Sequence, residues 1–192
     1  MIDQSHFQVD AKPSFCNAWP ELSIIVNGQE LWRHEVSSDQ TIAVEFDLQQ
    51  HNEIVIRYLN KRNGPDAWDT KLDKDGNIVE DQNCVLSNFR LGKSRCDFLM
   101  QDLDYYRDDG SIQSKPWGFM SQRGYFQIKF PQDVYSWIID CRKKYIFGAR
   151  KQSSSLDYWT NYLGDPNDPV TQELLQDIDQ LLKKFDDQNT GN

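Results

Sequence analysis

The residues best suited to contact a ligand are aromatic side chains in segments that the sequence pattern marks as loops. Tyr105 and Tyr106 precede an Asp-Asp-Gly turn, Trp117 and Phe119 follow a Lys-Pro pair, and Trp68 follows a Gly-Pro break. Flat aromatic rings on loops can stack on sugar rings or anchor a protein partner. We take Trp68, Tyr105 and Tyr106 as candidate glycan contacts, and Trp117 and Phe119 as candidate partner contacts. The simpler alternative is that Trp117 and Phe119 cover one end of the core.

The segment Asp73–Asn77 is an acidic turn that invites comparison with a calcium-binding loop. An EF-hand loop aligned on its glycine would begin at Lys71 and end at Gln82, where the ion needs carboxylate ligands. We therefore expect a hairpin turn without a metal. The alternative is a calcium site at a sandwich edge, formed by Asp69, Asp73 or Asp109.

Combinations of residues that could carry catalysis are scarce. The three histidines, His6, His34 and His51, belong to no catalytic motif, and no nucleophile elbow, zinc-protease helix or phosphate-binding loop occurs. With 30 acidic residues, a pair of carboxylates at glycosidase spacing is expected by chance. We expect no catalytic residues, no cofactor and no enzymatic activity, with a glycan-active enzyme as the remaining alternative.

Short apolar runs with a period of two, separated by turn signals, fill residues 21–142 and predict the elements that position these side chains. Asn27-Gly28 is the strongest hairpin signal. Further strands are predicted over 84–91, 96–103 and 134–139, whereas residues 1–20 are expected to be irregular. The predicted fold is all-β, an antiparallel β-sandwich or jelly roll over residues 1–147.

A polar linker over residues 148–168 and an amphipathic helix over 169–186 are expected to follow the sandwich. Asp168 and Pro169 suit the N-cap and the first helical position. The helix could dock on a neighbouring subunit, pack on its own sandwich or form a short coiled coil. The apolar stripe that we assign to partner binding comprises Leu174, Ile178, Leu181 and Phe185.

The net charge of −9 argues against nucleic-acid phosphates and anionic membranes as partners. The first residues lack the basic and apolar stretches of a signal peptide, so we expect no export by the standard route. Without an oxidising compartment, the four cysteines at 16, 84, 96 and 141 are expected to be thiols, and their spacing does not suit zinc.

Four segments carry a resemblance to a known family: ELSIIVNGQELW, NEIVIRYLNKR, WDTKLDKDGNIVEDQ and GYFQIKFPQDVYSWI. Together they cover roughly residues 20–140, and they resemble small β-sandwich virion proteins of contractile-tailed marine bacteriophages, especially those that infect cyanobacteria. The layout is also similar to carbohydrate-binding modules, some of which are calcium-dependent. The resemblance implies a virion-associated β-sandwich, and it transfers no site residues.

The function predicted from the sequence is that of a non-enzymatic structural or adaptor protein of a tailed-phage virion. Its partners would be other virion proteins or copies of itself, and it would be made in the host cytoplasm. The alternative is a carbohydrate-binding module that attaches to glycans on the host surface.

Overall fold

The computed structural model describes residues 4–62 and 69–149, together with Gln172 and Gln176. The chain forms two compact units, residues 1–92 with 96–132 and residues 93–95 with 133–192. The strands are β1 (Gln4–Ser14), β2 (Glu21–Val26), β3 (Gln29–Glu35), β4 (Gln40–Asp47), β5 (His51–Tyr58), β6 (Thr70–Leu72), β7 (Ile78–Asp81), β8 (Asn83–Leu91), β9 (Ser94–Arg95), β10 (Tyr105–Arg107), β11 (Ile112–Gln113), β12 (Phe119–Met120) and β13 (Gly124–Pro131). Asp97–Gln101 is a 3₁₀-helix and Val134–Ala149 is helix α1.

The first unit is an antiparallel β-sandwich, which confirms the predicted fold class. In the first sheet the strand order is β12–β8–β1–β4, and in the second it is β11–β10–β13–β5–β2–β3. The rings of Phe46 in β4 and Phe130 in β13 lie 6.3 Å apart, so the inner faces of the two sheets meet. Buried side chains that alternate along the strands fill the core, among them Phe7, Val9, Ile24, Val44, Ile56, Leu86 and Phe126.

All three tight turns predicted from glycine-containing motifs are present; in the Asp-Asp-Gly turn, the backbone N–H of Gly110 donates to the carbonyl of Arg107 at 3.0 Å. Asn27 and Gly28 have φ values of 51° and 82° and join β2 to β3, as the Asn-Gly hairpin signal predicts. The backbone N–H of Asp73 donates to the carbonyl of Asn77 at 2.8 Å, and it closes the hairpin between β6 and β7. These predictions are confirmed because the turn chemistry is local.

The N-terminal segment is where the sequence prediction is most wrong. Residues 4–14 form β1, which lies between β4 and β8 in the first sheet, whereas an irregular segment was expected. The inward residues Phe7, Val9 and Ala11 do alternate, but polar residues and Pro13 surround them. The strand is stabilised by its two neighbours, which are distant in sequence, and not by a strong local pattern.

Two further predicted strands are helices. Residues 96–103 contain the 3₁₀-helix Asp97–Gln101, and residues 134–139 belong to α1 in the second unit. The Oδ1 atom of Asp133 accepts a hydrogen bond from the backbone N–H of Ser136 at 3.2 Å, which caps the start of α1. The apolar residues Val134 and Ile138 fit a helical repeat as well as a strand repeat, so the period alone could not decide.

Helix α1 continues to Ala149. Residues 148 and 149 are therefore helical, whereas the sequence predicts that they begin the linker over 148–168. The rest of that linker and the stripe residues Leu174, Ile178, Leu181 and Phe185 lie outside the described residues. Gln172 and Gln176 are helical and exposed. None of the helices in the described ranges is long and apolar enough to span a membrane. No disulfide joins the four cysteines, all of which are described; three are buried and Cys141 is half-buried.

Candidate functional site

An exposed tryptophan sits in a strained turn at the start of β12. The backbone N–H of Phe119 donates to the carbonyl of Pro116 at 3.0 Å, and the two residues between them, Trp117 and Gly118, have φ values of 56° and 79°. Turns with positive φ at both central positions strongly prefer asparagine, aspartate and glycine. A bulky residue in this conformation is an outlier, and it costs about 1–2 kcal/mol. Trp117 is nevertheless 64% exposed.

Gly118 fixes this turn against the first sheet. Its carbonyl accepts a hydrogen bond from the backbone N–H of Leu86 at 2.9 Å, and a Cβ atom at Gly118 would lie 2.2 Å from the carbonyl oxygen of Leu86. Only glycine permits this close approach. The turn that carries Trp117 is therefore bonded to β8 at Leu86, the residue before the exposed Ser87.

A row of polar side chains crosses the outer face of the first sheet from this point. Ser87 in β8 pairs with Asp10 in β1, and Asp10 pairs with Thr41 in β4. Ser87 and Thr41 are exposed, and Asp10 is partly exposed. The register therefore aligns a hydroxyl, a carboxylate and a second hydroxyl across three strands. The turn that carries Trp117 is bonded to β8 at Leu86, next to the Ser87 end of this row.

A β-bulge in β8 directs an amide towards the same carboxylate. The register of β8 against β1 shifts between the pair Gln8–Arg90 and the pair Asp10–Ser87, and Asn88 at this shift has a φ of 53°. Its Nδ2 atom donates to Oδ2 of Asp10 at 2.6 Å. Bulges commonly re-aim a side chain next to functional sites.

Asp10 is held as an ionised hydrogen-bond acceptor. The hydroxyl of Thr41 donates to its Oδ1 atom at 2.6 Å. The hydrogen bonds from Thr41 and Asn88 lower the pKa of Asp10, against a small opposing effect of burial, and Arg90 lowers it further. A carboxylate offers about four acceptor positions and these two bonds use two of them, so Asp10 can accept more.

We call Trp117, Ser87, Asn88, Asp10 and Thr41 the Trp117 surface. It combines one flat apolar ring with hydroxyl, amide and carboxylate groups that both donate and accept. A partly apolar face and many hydroxyl groups characterise sugar rings, so this combination suits a polyhydroxylated ligand. The four polar residues were not among the sequence candidates, because only the strand register brings them together.

The structure places the sequence-predicted aromatics very differently from one another. Phe119 lies half-buried in β12 and pairs with Val85. The exposure of Trp117 contradicts the alternative in which it covers one end of the core. Trp68 lies outside the described residues, so its role stays a prediction.

Neither tyrosine of the predicted glycan pair lies in a loop. Tyr105 is wholly buried in β10, packs against Phe126 at 4.8 Å and donates its hydroxyl to the carbonyl of Gln122 at 2.6 Å. Burial raises its pKa well above the usual value. The predicted glycan contact by Tyr105 is therefore wrong. Tyr106 is partly exposed in β10 and stacks on Tyr125 with 17° between the rings.

The acidic residues considered for calcium serve the fold in the structure. Asp69 is 1% exposed and pairs with the guanidinium of Arg62 at 2.8 Å. Asp73 accepts from the backbone N–H groups of Asp75 and Asn77 within its turn, and Asp109 accepts from that of Ser111. Within the described ranges, no group of three or more His, Cys, Asp or Glu residues is arranged to hold a metal ion.

Comparison with known proteins identifies no family. No family model matches the chain, and no curated protein matches it. One similar solved structure is vCBM60 in complex with galactobiose, with 12% identity and a TM-score of 0.35 over 64% of this chain and 95% of that one. Another is the selenomethionine form of vCBM60, described with calcium-dependent carbohydrate-binding modules, with 12% identity and a TM-score of 0.37 over 64% of this chain and 88% of that one. These values are too low to transfer a ligand or a site.

Neither of these two structures is described as a virion protein. The resemblance to phage virion proteins therefore stays a prediction, and the candidate site rests on the geometry of the chain itself.

Proposed function

We propose that the sandwich is a non-enzymatic carbohydrate-binding module that attaches to host surface glycans through the Trp117 surface. The observation that carries this proposal is Trp117 itself, a large aromatic ring that is 64% exposed in a backbone conformation that disfavours it. Strain of this kind persists where function or the surrounding structure requires it. Folding gains little from an exposed ring, so a ligand that covers the ring supplies the reason for its presence.

The rest of the Trp117 surface supports the same ligand class. We expect a sugar ring stacked on the indole to reach Ser87 and Asp10, because the turn that carries Trp117 is bonded to β8 at Leu86 and Ser87 pairs with Asp10. Asp10 accepts hydrogen bonds from sugar hydroxyls, and hydrogen bonds to an ionised group are roughly twice as strong as neutral ones. Asn88 and Thr41 hold that carboxylate in place before the ligand arrives.

A glycan array probed with the full chain tests the proposal. Wild-type protein should bind a defined set of glycans, and Trp117→Asn should remove that binding while the thermal unfolding midpoint stays nearly unchanged. Tyr135→Ala is the matched control, because it removes another exposed aromatic ring, from α1. Binding that survives in Trp117→Asn, or an array on which the wild type binds no glycan, would contradict the proposal.

One observation favours the second candidate function, a structural or adaptor role in a tailed-phage virion. The hairpin of β6 and β7 exposes three apolar side chains, Leu72 at 59%, Ile78 at 65% and Val79 at 59%. Clustered exposed apolar residues commonly mark protein interfaces. The partners would be other virion proteins or copies of the chain, and the protein would be found in the virion.

The triple variant Leu72→Ser, Ile78→Ser, Val79→Thr separates the two functions. Under the assembly function it is excluded from particles purified from infected cells, whereas Trp117→Asn is incorporated normally. Incorporation of the triple variant at the wild-type level would count against assembly through this hairpin.

A further inference from the structure

An open cleft of about 530 Å³ lies at one end of the second sheet. The β2–β3 turn contributes Asn27, the start of β5 contributes His51, Asn52 and Glu53, and the end of β13 contributes Lys129 and Pro131. A volume of this size lies within the range of small-molecule sites. None of these residues belongs to the Trp117 surface, which lies on the first sheet.

The floor of the cleft is a pair of asparagines whose amides are held in fixed orientations. Asn27 Nδ2 donates to Asn52 Oδ1 at 3.2 Å, and Asn27 Oδ1 accepts from the backbone N–H of Glu53 at 2.9 Å. Asn52 is 3% exposed, and its Nδ2 atom donates to the carbonyl of Gln49 at 2.7 Å.

The amide of Asn27 retains hydrogen-bonding capacity. Its Nδ2 group carries two N–H bonds and uses one in the bond to Asn52, so it keeps one N–H for a ligand. Asn27 is partly exposed, whereas Asn52 is almost fully buried and holds the amide of Asn27 in place. Asn27 is therefore prepared to bind an acceptor group of a ligand.

The wall of the cleft supplies an acceptor and little net charge. The Oε1 atom of Glu53 accepts from Gln127 Nε2 at 2.7 Å and lies 3.6 Å from the ammonium of Lys129. These contacts leave acceptor positions of the carboxylate for a ligand hydroxyl. Because Glu53 and Lys129 offset each other, the cleft does not favour an ion of either sign. The imidazole of His51 is exposed at the same end of β5, and Pro131 adds an apolar surface.

We propose that this cleft is a second ligand site, which binds a neutral, hydroxyl-rich ring such as a mono- or disaccharide independently of the Trp117 surface. A donor from Asn27 and an acceptor from Glu53 line it, so a ligand whose groups both donate and accept satisfies both. Hydroxyl groups do both. The proposal does not require the Trp117 surface to bind glycans.

NMR titration of the ¹⁵N-labelled full chain with neutral mono- and disaccharides tests this site. Saturable shifts should appear in the side-chain amide signals of Asn27 and Asn52. His51→Ala and Glu53→Gln should weaken the affinity, by about tenfold for Glu53→Gln if one charge-assisted hydrogen bond is lost. Lys115→Ala, which removes an exposed lysine outside the cleft, should leave the titration unchanged.

The second arm of the experiment uses Trp117→Asn, which should retain the amide shifts of Asn27 and Asn52. Loss of these shifts in Trp117→Asn would mean that one site produces both the amide shifts and the glycan binding. It would overturn the inference while leaving the proposed function intact. Absence of saturable shifts in the wild type, or stronger binding of a uronic acid than of the neutral sugars, would also overturn it. Cleft binding without any glycan bound at Trp117 would support the inference and contradict the proposed function.

Discussion

Replacing Trp117 by asparagine should remove ligand binding at nearly constant stability. Asparagine tolerates the left-handed backbone conformation far better than tryptophan does, so the substitution relieves up to about 1–2 kcal/mol of strain. The opposing cost is the loss of the surface area that the tryptophan buries in the folded chain. Since Trp117 is 64% exposed, about a third of its surface is covered. A fully buried aromatic side chain removes roughly 150–250 Å² from water, so the loss here is about 50–90 Å².

At about 25 cal/mol per Å², that area corresponds to about 1–2 kcal/mol, which is an upper bound because unfolded chains already bury part of their surface. Strain relief and lost burial are therefore equal within about 1 kcal/mol. In a chain of 192 residues, a change of this size moves the midpoint by roughly 2–4 °C. Truncation of a tryptophan in the core would instead cost about 3–5 kcal/mol.

Calorimetry measures the change in stability, and the glycan array measures the loss of ligand binding, on the same samples. Trp117→Ala is the matched variant, since it removes the same ring but gains less from the backbone conformation, and it should be less stable than Trp117→Asn by about 1 kcal/mol. Two results would refute this reasoning. One is a loss of 3 kcal/mol or more in Trp117→Asn, which would make the ring part of the core. The other is equal stability of the two variants, which would remove the argument from strain.

Three further predictions follow from the same sheet. Gly118→Ala should lose more than about 1 kcal/mol of stability in urea unfolding, because its Cβ would meet the Leu86 carbonyl at 2.2 Å and its φ is positive; a neutral effect would contradict the observed approach. Hydrogen bonds lower the pKa of Asp10 below the ordinary aspartate value of about 3.9, so its stabilising contribution is present above that value and is lost as pH falls through the lower native pKa. Glycan binding should therefore stay constant from pH 7 to about pH 4, and a binding midpoint above pH 5 would argue against Asp10 as an acceptor. Burial raises the pKa of the Cys84 thiol to about 12, so Cys84 should resist iodoacetamide at pH 8 in the folded protein and react after unfolding, as mass spectrometry would show.

Much of the second sheet could be predicted from the sequence because its signals are local. The hairpin predicted at Asn27-Gly28 is formed by β2 and β3, whose inner ends the Asn-Gly turn fixes. The first sheet was harder to predict. Strand β1 has few apolar residues and is stabilised by neighbours some 30 and 75 positions away, as the pairs Asp10–Thr41 and Asp10–Ser87 show.

The contrast between local signals and pairings distant in sequence also explains which residues of the candidate site could be predicted. The sequence identified Trp117 as a contact residue from its type and its surroundings, but assigned it to a protein partner and not to a glycan. The polar residues of the Trp117 surface could not be identified in this way, because Ser87, Asp10 and Thr41 meet only through the register of three strands. The bulge at Asn88 was also unpredictable, since a single asparagine within an apolar pattern does not reveal a register shift.

The distribution of backbone strain makes the Trp117 surface the strongest functional candidate in the structure. Within the described ranges, five residues other than glycine have positive φ: Asn17, Asn27, Asn88, Lys115 and Trp117. Three are asparagines, which adopt this conformation readily. The two residue types unsuited to it, lysine and tryptophan, flank Pro116, and Gly118 follows them in close contact with the first sheet. A turn needed only to connect β11 to β12 could have used asparagine or glycine at position 117 without strain. The tryptophan is therefore best explained by a contact that the isolated chain does not make.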